Sequence, residues 1–381
     1  MATSTSRTIP WVIEQQTVVK HELLRSYMAT WMNILWQQQE RLRRPAHLIY
    51  VDGFAGPGEY WASEEQAAKV DGSPIIVGRI ANDLMKGQRK LDIIAFDSDK
   101  RTVDHLVPLL KGINMKQQAW EVIHEDFSTG TQGLMTKLSA RLGRDYPTFF
   151  FIDPFGYSDL PMTLLAEILK HERTEVFVTF MTYDIVRFMV KPDAEQKMVE
   201  LFGTEDYKNY VQCKTPKERV NFITTLYRRQ LLSMAKAKHV IGFRINTPAQ
   251  EGRARYFLIH ASNHIKALKE MKNAMDRTSD HEFKFEAIGV GDGGQLDLFV
   301  ATPEIQIKSA LLEYVKQAGS KIEYSVIEDW AYERTAGAAR HIKAALVELE
   351  GESKVRIERK PRQKKNTVVE GATVEFVSTL L

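Results

Sequence analysis

Four clusters in this chain of 381 residues combine residue types suited to chemistry, and each stands where an apolar run ends. Asp52-Gly53-Phe54-Ala55-Gly56-Pro57-Gly58 follows HLIYV. Its glycines let the backbone approach a ligand without Cβ obstruction, although a tight structural turn uses the same residues. No Gly-Lys-Ser/Thr follows, so a Walker A loop and its phosphate lysine are excluded. Asp97 closes IIAFD, where a carboxylate can accept both hydroxyls of a ribose. Glu125-Asp126-Phe127 offers an acid and an aromatic suited to an adenine amine and ring; a helix N-cap uses the same residues. Phe151-Ile152-Asp153-Pro154-Phe155-Gly156-Tyr157 puts a carboxylate between aromatics. It is suited to accept hydrogen bonds from an exocyclic amine while the rings stack on a flipped base; a strand-end cap is the plainer alternative.

The elements that must position these groups follow from the hydrophobic spacing. Val19, Leu23, Tyr27, Trp31, Ile34 and Leu35 recur at helical intervals, so residues 11–41 read as one long amphipathic helix. HLIYVDGF, LDIIAFD, AWEVIHEDF, PTFFFIDPFG and TEVFVTFM then alternate with helical stretches, which predicts a parallel sheet covered on both faces. A helical segment over about 183–236 precedes HVIGFRINT and RARYFLIHAS, a hairpin across PAQEG, and a helix over His264–Arg277. Five parallel strands and a terminal antiparallel hairpin are the element string of a class I methyltransferase (Rossmann-like) α/β fold, expected over residues 1–300. The glycine loop and Asp97 lie about forty residues apart, beyond the ~20 of a dinucleotide fingerprint, which disfavours NAD and leaves S-adenosylmethionine open.

Residues 301–381 read differently. Three short helices precede two alternating strands around a basic loop, the pattern of a winged helix-turn-helix domain. GDGGQ (Gly291–Gln295) is the expected linker. Net charge is only +3, but seven Lys/Arg face one acid between Lys354 and Lys365. Such a local patch, rather than the total, suits a polyanion. Arg340 and Lys343 fall on the third helix; Arg359, Lys360, Arg362, Lys364 and Lys365 fall on the wing. Arg187, after the fifth strand, is a further candidate for phosphate contact. The 44% hydrophobic content predicts a globular core. One cysteine, Cys213, excludes a disulfide framework or multi-Cys metal site. With no apolar spanning segment or secretory leader, the expectation is a cytoplasmic protein without a membrane partner or metal.

The run Asp52 to Gly58 with Gly72-Ser73-Pro74 resembles the three-Cys-motif partner proteins, methyltransferase-like bacterial proteins named for a radical-SAM-like neighbour carrying three cysteines. The resemblance covers roughly residues 10–280. More distantly the motif order is similar to the RlmJ-type ribosomal-RNA adenine-N6 methyltransferases. In those enzymes a Lys-His pair on an N-terminal helix contributes to the cofactor site, and Lys20-His21 look like it. Their Asp-Pro-Pro-Tyr motif is altered here to Asp153-Pro154-Phe155-Gly156, with Tyr157 following. The resemblance implies S-adenosylmethionine held by Lys20, His21, Asp52, Phe54, Gly56, Gly58, Ser73, Asp97, Asp126 and Phe127. Asp153, Pro154 and Phe155 would serve an acceptor base amine. The rival expectation is an inactive methyltransferase-like protein that recruits nucleic acid for a radical-SAM-like partner.

Overall fold

The computed structural model describes residues 8–113, 118–130, 146–154, 156, 160–246, 256–278, 284–287, 303–318, 321–335 and 337–377. In chain order the first elements are α1 (Gln15–Arg41), β1 (His47–Asp52), β2 (Glu59–Trp61), β3 (Lys69–Asp71), α2 (Ser73–Leu84), β4 (Lys90–Phe96) and α3 (Lys100–Gly112). Next come β5 (Gln118–Ile123), β6 (Thr148–Ile152), α4 (Met162–Leu169), β7 (Thr174–Phe180), α5 (Thr182–Phe188), α6 (Glu195–Phe202) and α7 (Pro216–Ser233). The sheet is completed by β8 (His239–Asn246), β9 (Phe257–Ser262), α8 (Ile265–Thr278) and β10 (Lys284–Ala287).

Eight strands form one sheet in the order β10-β8-β9-β7-β6-β1-β4-β5. β1 pairs in parallel with β4 and β6, β4 with β5, and β6 with β7. β9 is antiparallel to β7. Parallel strands winding outward both ways from β1, closed by a reversed strand, are the class I methyltransferase topology. The central strands are mostly apolar because helices cover both faces; β6 is buried along its whole length. All five parallel strands end at one edge, the edge at which α/β sheets bind ligands.

α1 begins at Gln15 rather than residue 11, because the preceding backbone is engaged elsewhere. Ile13 donates to the Trp61 carbonyl and Trp61 donates to that of Trp11, both at 2.9 Å. The segment Glu59–Gly72, read as a loop, holds the hairpin β2–β3. The 183–236 segment breaks into α5, α6, α7 and short 3-10 turns at Pro192–Ala194 and Glu205–Gln212. β10 is an edge strand that the hydrophobic pattern did not announce, and Gly291–Gln295 lie outside the described residues. Among the described residues no helix is long and apolar enough to cross a membrane.

The chain divides into two compact units, residues 1–240 with 245–284, and residues 241–244 with 285–381. The second contains α9 (Pro303–Ala318), β11 (Lys321–Glu323), α10 (Tyr324–Arg334), α11 (Ala339–Gly351), β12 (Val355–Glu358) and β13 (Thr373–Phe376). Its three strands run antiparallel in the order β11-β13-β12, one more strand than the alternation in the sequence suggested. Ile307, Leu311, Ile327, Ile342, Leu346 and Phe376 are among its buried side chains.

Candidate functional site

α1 positions the first part of the site. At about 1.5 Å per residue its 27 residues run some 40 Å, enough to cross the sheet from edge to edge. Near its start Lys20 reaches Asp153, just past the C-terminal end of β6, with Nζ at 2.7 Å from Oδ1 and 2.5 Å from Oδ2. Further along, Trp31 Nε1 donates to Glu175 at 2.9 Å, near the opposite end of β7, and Tyr27 donates its hydroxyl to the same carboxylate. Later still, Trp36 Nε1 donates to the Lys90 carbonyl at 3.2 Å. Lys20 and His21 are both buried, at 6% and 7% exposure, so they are not the solvated surface pair that an amphipathic helix usually carries.

Asp52 ends the neighbouring strand β1, opposite Phe151, and lies within the field of Asp153. It is fully buried and accepts from the Tyr50 hydroxyl at 2.8 Å and from the Phe54 amide at 3.3 Å; the Ser73 side chain is a further partner. Tyr50 and Asp52 share a face of β1 because strand side chains alternate. Burial nonetheless pushes the Asp52 carboxyl up to about 7, outweighing these hydrogen bonds. Burial, aided by Lys20, pushes His21 down to about 4, so its imidazole is neutral near pH 7. Tyr60, on the unexpected β2, packs against His21 with ring centroids 5.8 Å apart. Its hydroxyl is held in the phenol form chiefly by burial and then by the fields of Asp153, Asp52 and Asp97.

Asp97 lies where a ribose acceptor was expected, and it also ties the loop together. Oδ2 accepts from the Gly56 amide at 2.9 Å and Oδ1 from the Asp99 amide at 2.8 Å. The glycines serve this close packing directly. Gly56 and Gly58 take φ of +61° and +80°, and a Cβ on Gly58 would meet Leu106 at 2.5 Å. Phe127 is buried beneath the loop, where a Cβ on Gly53 would touch its ring at 3.1 Å. Asp126 takes the capping role: Oδ1 accepts from both the amide and the hydroxyl of Ser128, at 2.8 and 2.5 Å. Lys20, His21, Asp52, Ser73, Gly56, Asp97 and Asp153 are thus linked through direct bonds or shared fields at one edge. Phe155 and Tyr157 lie outside the described residues.

Tyr50, Tyr60 and Tyr256 were missed in the sequence. Tyr60 follows the glycine loop by two residues, and Lys20 lies 5.6 Å from the Tyr256 ring centroid, a contact without any local signal. A cavity of about 410 Å³ opens near the other end of β7, lined by residues including Trp31, Arg41, Glu175 and Glu270. It contains none of the clustered residues. We place the candidate site by convergence of the strand tips, because a class I sheet presents its ligand groups there.

The opposed shifts of Asp52 and His21 set an expected pH response. Asp52 contributes stability that is full below its ordinary value of 3.8 and lost as pH rises through about 7. His21 contributes stability that is full above 6.5 and lost as pH falls through about 4. Between these limits the two slopes oppose, each worth on the order of 3 kcal/mol. Asp52→Asn should therefore unmask a stability that climbs from pH 4 to 6.5, and His21→Gln one that falls from pH 4 to 7. Urea midpoints at pH 4.5, 5.5 and 7 measure both; parallel profiles for the two variants would contradict the assignment.

In the second unit Lys360, Arg362, Lys364 and Lys365 are exposed between β12 and β13. Arg340 is exposed at the start of α11 and Lys343 half-buried one turn on. Arg359 departs from the expected phosphate-facing set. Its guanidinium forks onto Glu350 at 2.8 and 2.6 Å and donates to the Thr367 carbonyl at 2.9 Å, so it braces the wing from within.

No family model matches the sequence, and no curated protein matches it as a relative. Among solved structures it is similar to protein LPL1258 of Legionella pneumophila, at 13% identity and a TM-score of 0.38, covering 73% of this chain and 97% of that one. An rRNA methylase from Streptococcus thermophilus is similar at 10% identity and 0.29, with 66% and 98% covered. Precorrin-6y C5,15-methyltransferase from Geobacter metallireducens is similar at 11% and 0.30, with 68% and 95% covered. The strand order and register carry the fold assignment, and they define a chain of the class I methyltransferase fold.

Proposed function

We propose that the chain is an S-adenosylmethionine-dependent methyltransferase that acts on a base amine of nucleic acid in the cytoplasm. The observation that carries this reading is the convergence of Lys20, Asp52, Asp97 and Asp153 at the ligand-binding edge of the sheet. The donor set suits the cofactor. Even with Asp52 protonated, Asp97 and Asp153 outweigh the charge of Lys20, and a net negative cluster favours a sulfonium. Asp97 keeps a further lone pair on each oxygen for ribose hydroxyls. His21, Phe54, Gly56, Gly58, Ser73, Asp126 and Phe127 complete the proposed cradle. When bound, S-adenosylmethionine supplies an electrophilic methyl group.

The protein's task is then mainly positioning. Asp153 accepts a hydrogen bond from the acceptor amine, which aims the nitrogen lone pair. Pro154 fixes the turn that presents the carboxylate, and Phe155 is assigned to stacking from its type and place in the motif alone. Lys20 already engages both Asp153 oxygens, so an amine must share or displace it. That same pairing favours a second reading, in which the chain binds nucleic acid without catalysis and delivers it to a radical-SAM-like three-Cys-motif partner. Transfer of labelled methyl from S-adenosylmethionine to a panel of DNA, RNA and tRNA tests both. Turnover supports the enzyme. S-adenosylhomocysteine binding by calorimetry without any turnover supports the recruiter, and absence of both defeats the cofactor assignment.

Residues 301–381 are proposed to form a winged-helix domain that adds sequence-independent phosphate contacts. Neutralising Lys360, Arg362, Lys364 and Lys365 together is expected to weaken binding to all sequences alike. The slope of log affinity against log salt should fall by roughly 0.7–0.9 for each phosphate that the wing no longer neutralises. Arg359→Ala is expected instead to destabilise the wing, because it removes the charge partner of Glu350 and leaves that carboxylate only the Ile357 amide. An unchanged salt slope in the neutralised variant would make this domain a protein-docking module.

A further inference from the structure

We infer that the exposed face of α5 and the turn after it is a platform for an unpaired nucleic-acid strand, which stacks a base on Tyr183 and holds phosphate on Arg187 and Lys191; the link to catalysis rests on the methyltransferase reading above. α5 starts two residues beyond the end of β7, the neighbour of β6, whose tip carries Asp153. The stripe therefore stands at the proposed reaction edge, one strand away from the acceptor-side carboxylate.

The helix is two-sided. Thr182, Ile185 and Met189 are buried, whereas Tyr183, Arg187, Val190 and Lys191 are exposed. Tyr183 and Arg187 stand four residues apart, which lines them along one side of α5, and Lys191 follows three residues past the end of the helix. Tyr183 is 52% exposed and Val190 49%, a large outlay of apolar surface beside two cations. Arg187 Cζ lies 5.2 Å and Lys191 Nζ 4.8 Å from the centroid of the same Phe188 ring. The two cations are thus within 10 Å of each other.

Among the described residues neither makes an ion pair, although Asp184 and Asp193 lie nearby in sequence. Cations elsewhere in this helical segment are compensated: Lys208 pairs with Glu195 and Glu205, and Arg229 with Asp206. Two neighbouring cations held on one ring repel each other, and a phosphate between them relieves that repulsion. An exposed tyrosine face is useful to nucleic acid only where a base is free of its duplex stack. The pairing of ring and cations therefore selects a single strand over a duplex.

Anisotropy with the full-length chain tests this, using fluorescein-labelled twelve-nucleotide oligo(U) and oligo(dT) and a twelve-base-pair duplex. Tyr183→Ala is expected to weaken binding of the single strands about 5- to 150-fold. Duplex affinity should not change, and Tyr183→Phe should bind like wild type because the stacking face survives. Arg187→Ala with Lys191→Ala should lower the single-strand salt slope by about 0.7, the value for the one phosphate that the pair holds. The ratio of oligo(U) to oligo(dT) affinity reports whether RNA or DNA is the source of the strand. Wild-type affinity in Tyr183→Ala, equal losses on strand and duplex, or a wild type that binds no single strand would each overturn the inference. The last result would leave the face to a protein partner. Calorimetry with S-adenosylhomocysteine on the same samples separates the two readings. Strand binding that depends on Tyr183 without cofactor binding would sink the enzyme but keep the platform; the reverse pattern would sink only the platform.

Discussion

Asp153→Ala is expected to lower methyl transfer by roughly 10²- to 10³-fold, the usual cost of removing a group that acts on the reacting atoms. Affinity for S-adenosylhomocysteine should stay within about twofold, because its sulfur is an uncharged thioether that draws nothing from the carboxylate's field, and the hydrogen bond of Asp153 is assigned to the acceptor amine. The variant also has a structural consequence. Lys20 is 6% exposed and both Asp153 oxygens engage it. Removing one charge of such a pair leaves the other buried and uncompensated, at a cost of about 3–5 kcal/mol. Combining Asp153→Ala with Lys20→Met removes both charges and should recover part of that stability while activity stays lost. Turnover and urea midpoints on the single and double variants separate the two roles. Wild-type turnover in Asp153→Ala would reduce the residue to an anchor for α1.

Glu175→Ala is expected to destabilise the first unit by about 4 kcal/mol, toward the upper end of what one substitution does. Its carboxylate accepts from the Tyr27 hydroxyl, from Trp31 Nε1 at 2.9 Å and from His260 Nε2 at 3.0 Å. Tyr27 and His260 are almost wholly buried, so their donors would lose the charged partner that satisfies them. Glu175→Gln keeps an acceptor oxygen and should cost only about 1–2 kcal/mol. The carboxylate pins α1 to β7 and β9, and the same helix carries Lys20 to the opposite edge. Turnover should therefore fall further than the folded fraction alone accounts for. Urea titration followed by tryptophan emission measures the stability; equal midpoints for the alanine and glutamine variants would contradict the role given to this network.

Much of the fold was legible in the amino-acid order, because burial imposes patterns that a chain must display. LIYV, IIAF, FFFI and VFV are apolar runs since each strand is covered on two faces, and Gly56 and Gly58 announce a loop with positive φ. The period-two alternation already places Tyr50 and Asp52 on one face. What eluded the sequence was local structure fixed by distant partners. β2 and β3 are three residues each and pair only with one another and with the Trp11–Ile13 backbone. Residues 11–14 follow a helical pattern, yet that pairing takes them out of α1.

The chain by itself determined the strand order's raw material, the tips at which acids and glycines would gather, and the basic character of the 354–365 segment. Tertiary structure alone decided which of those acids meet and what they meet. Lys20 and Asp153 are separated by 133 residues, and only the passage of α1 across the sheet brings ammonium to carboxylate. Only burial makes Asp52 a weak acid and His21 a weak base, since desolvation depends on everything packed around a group and not on its neighbours in sequence. Arg359 and Lys360 are adjacent and alike in composition, yet Glu350 holds the first inside the wing and leaves the second in solvent. Charge type is a property of the residue; whether that charge is available to a ligand is a property of the packing.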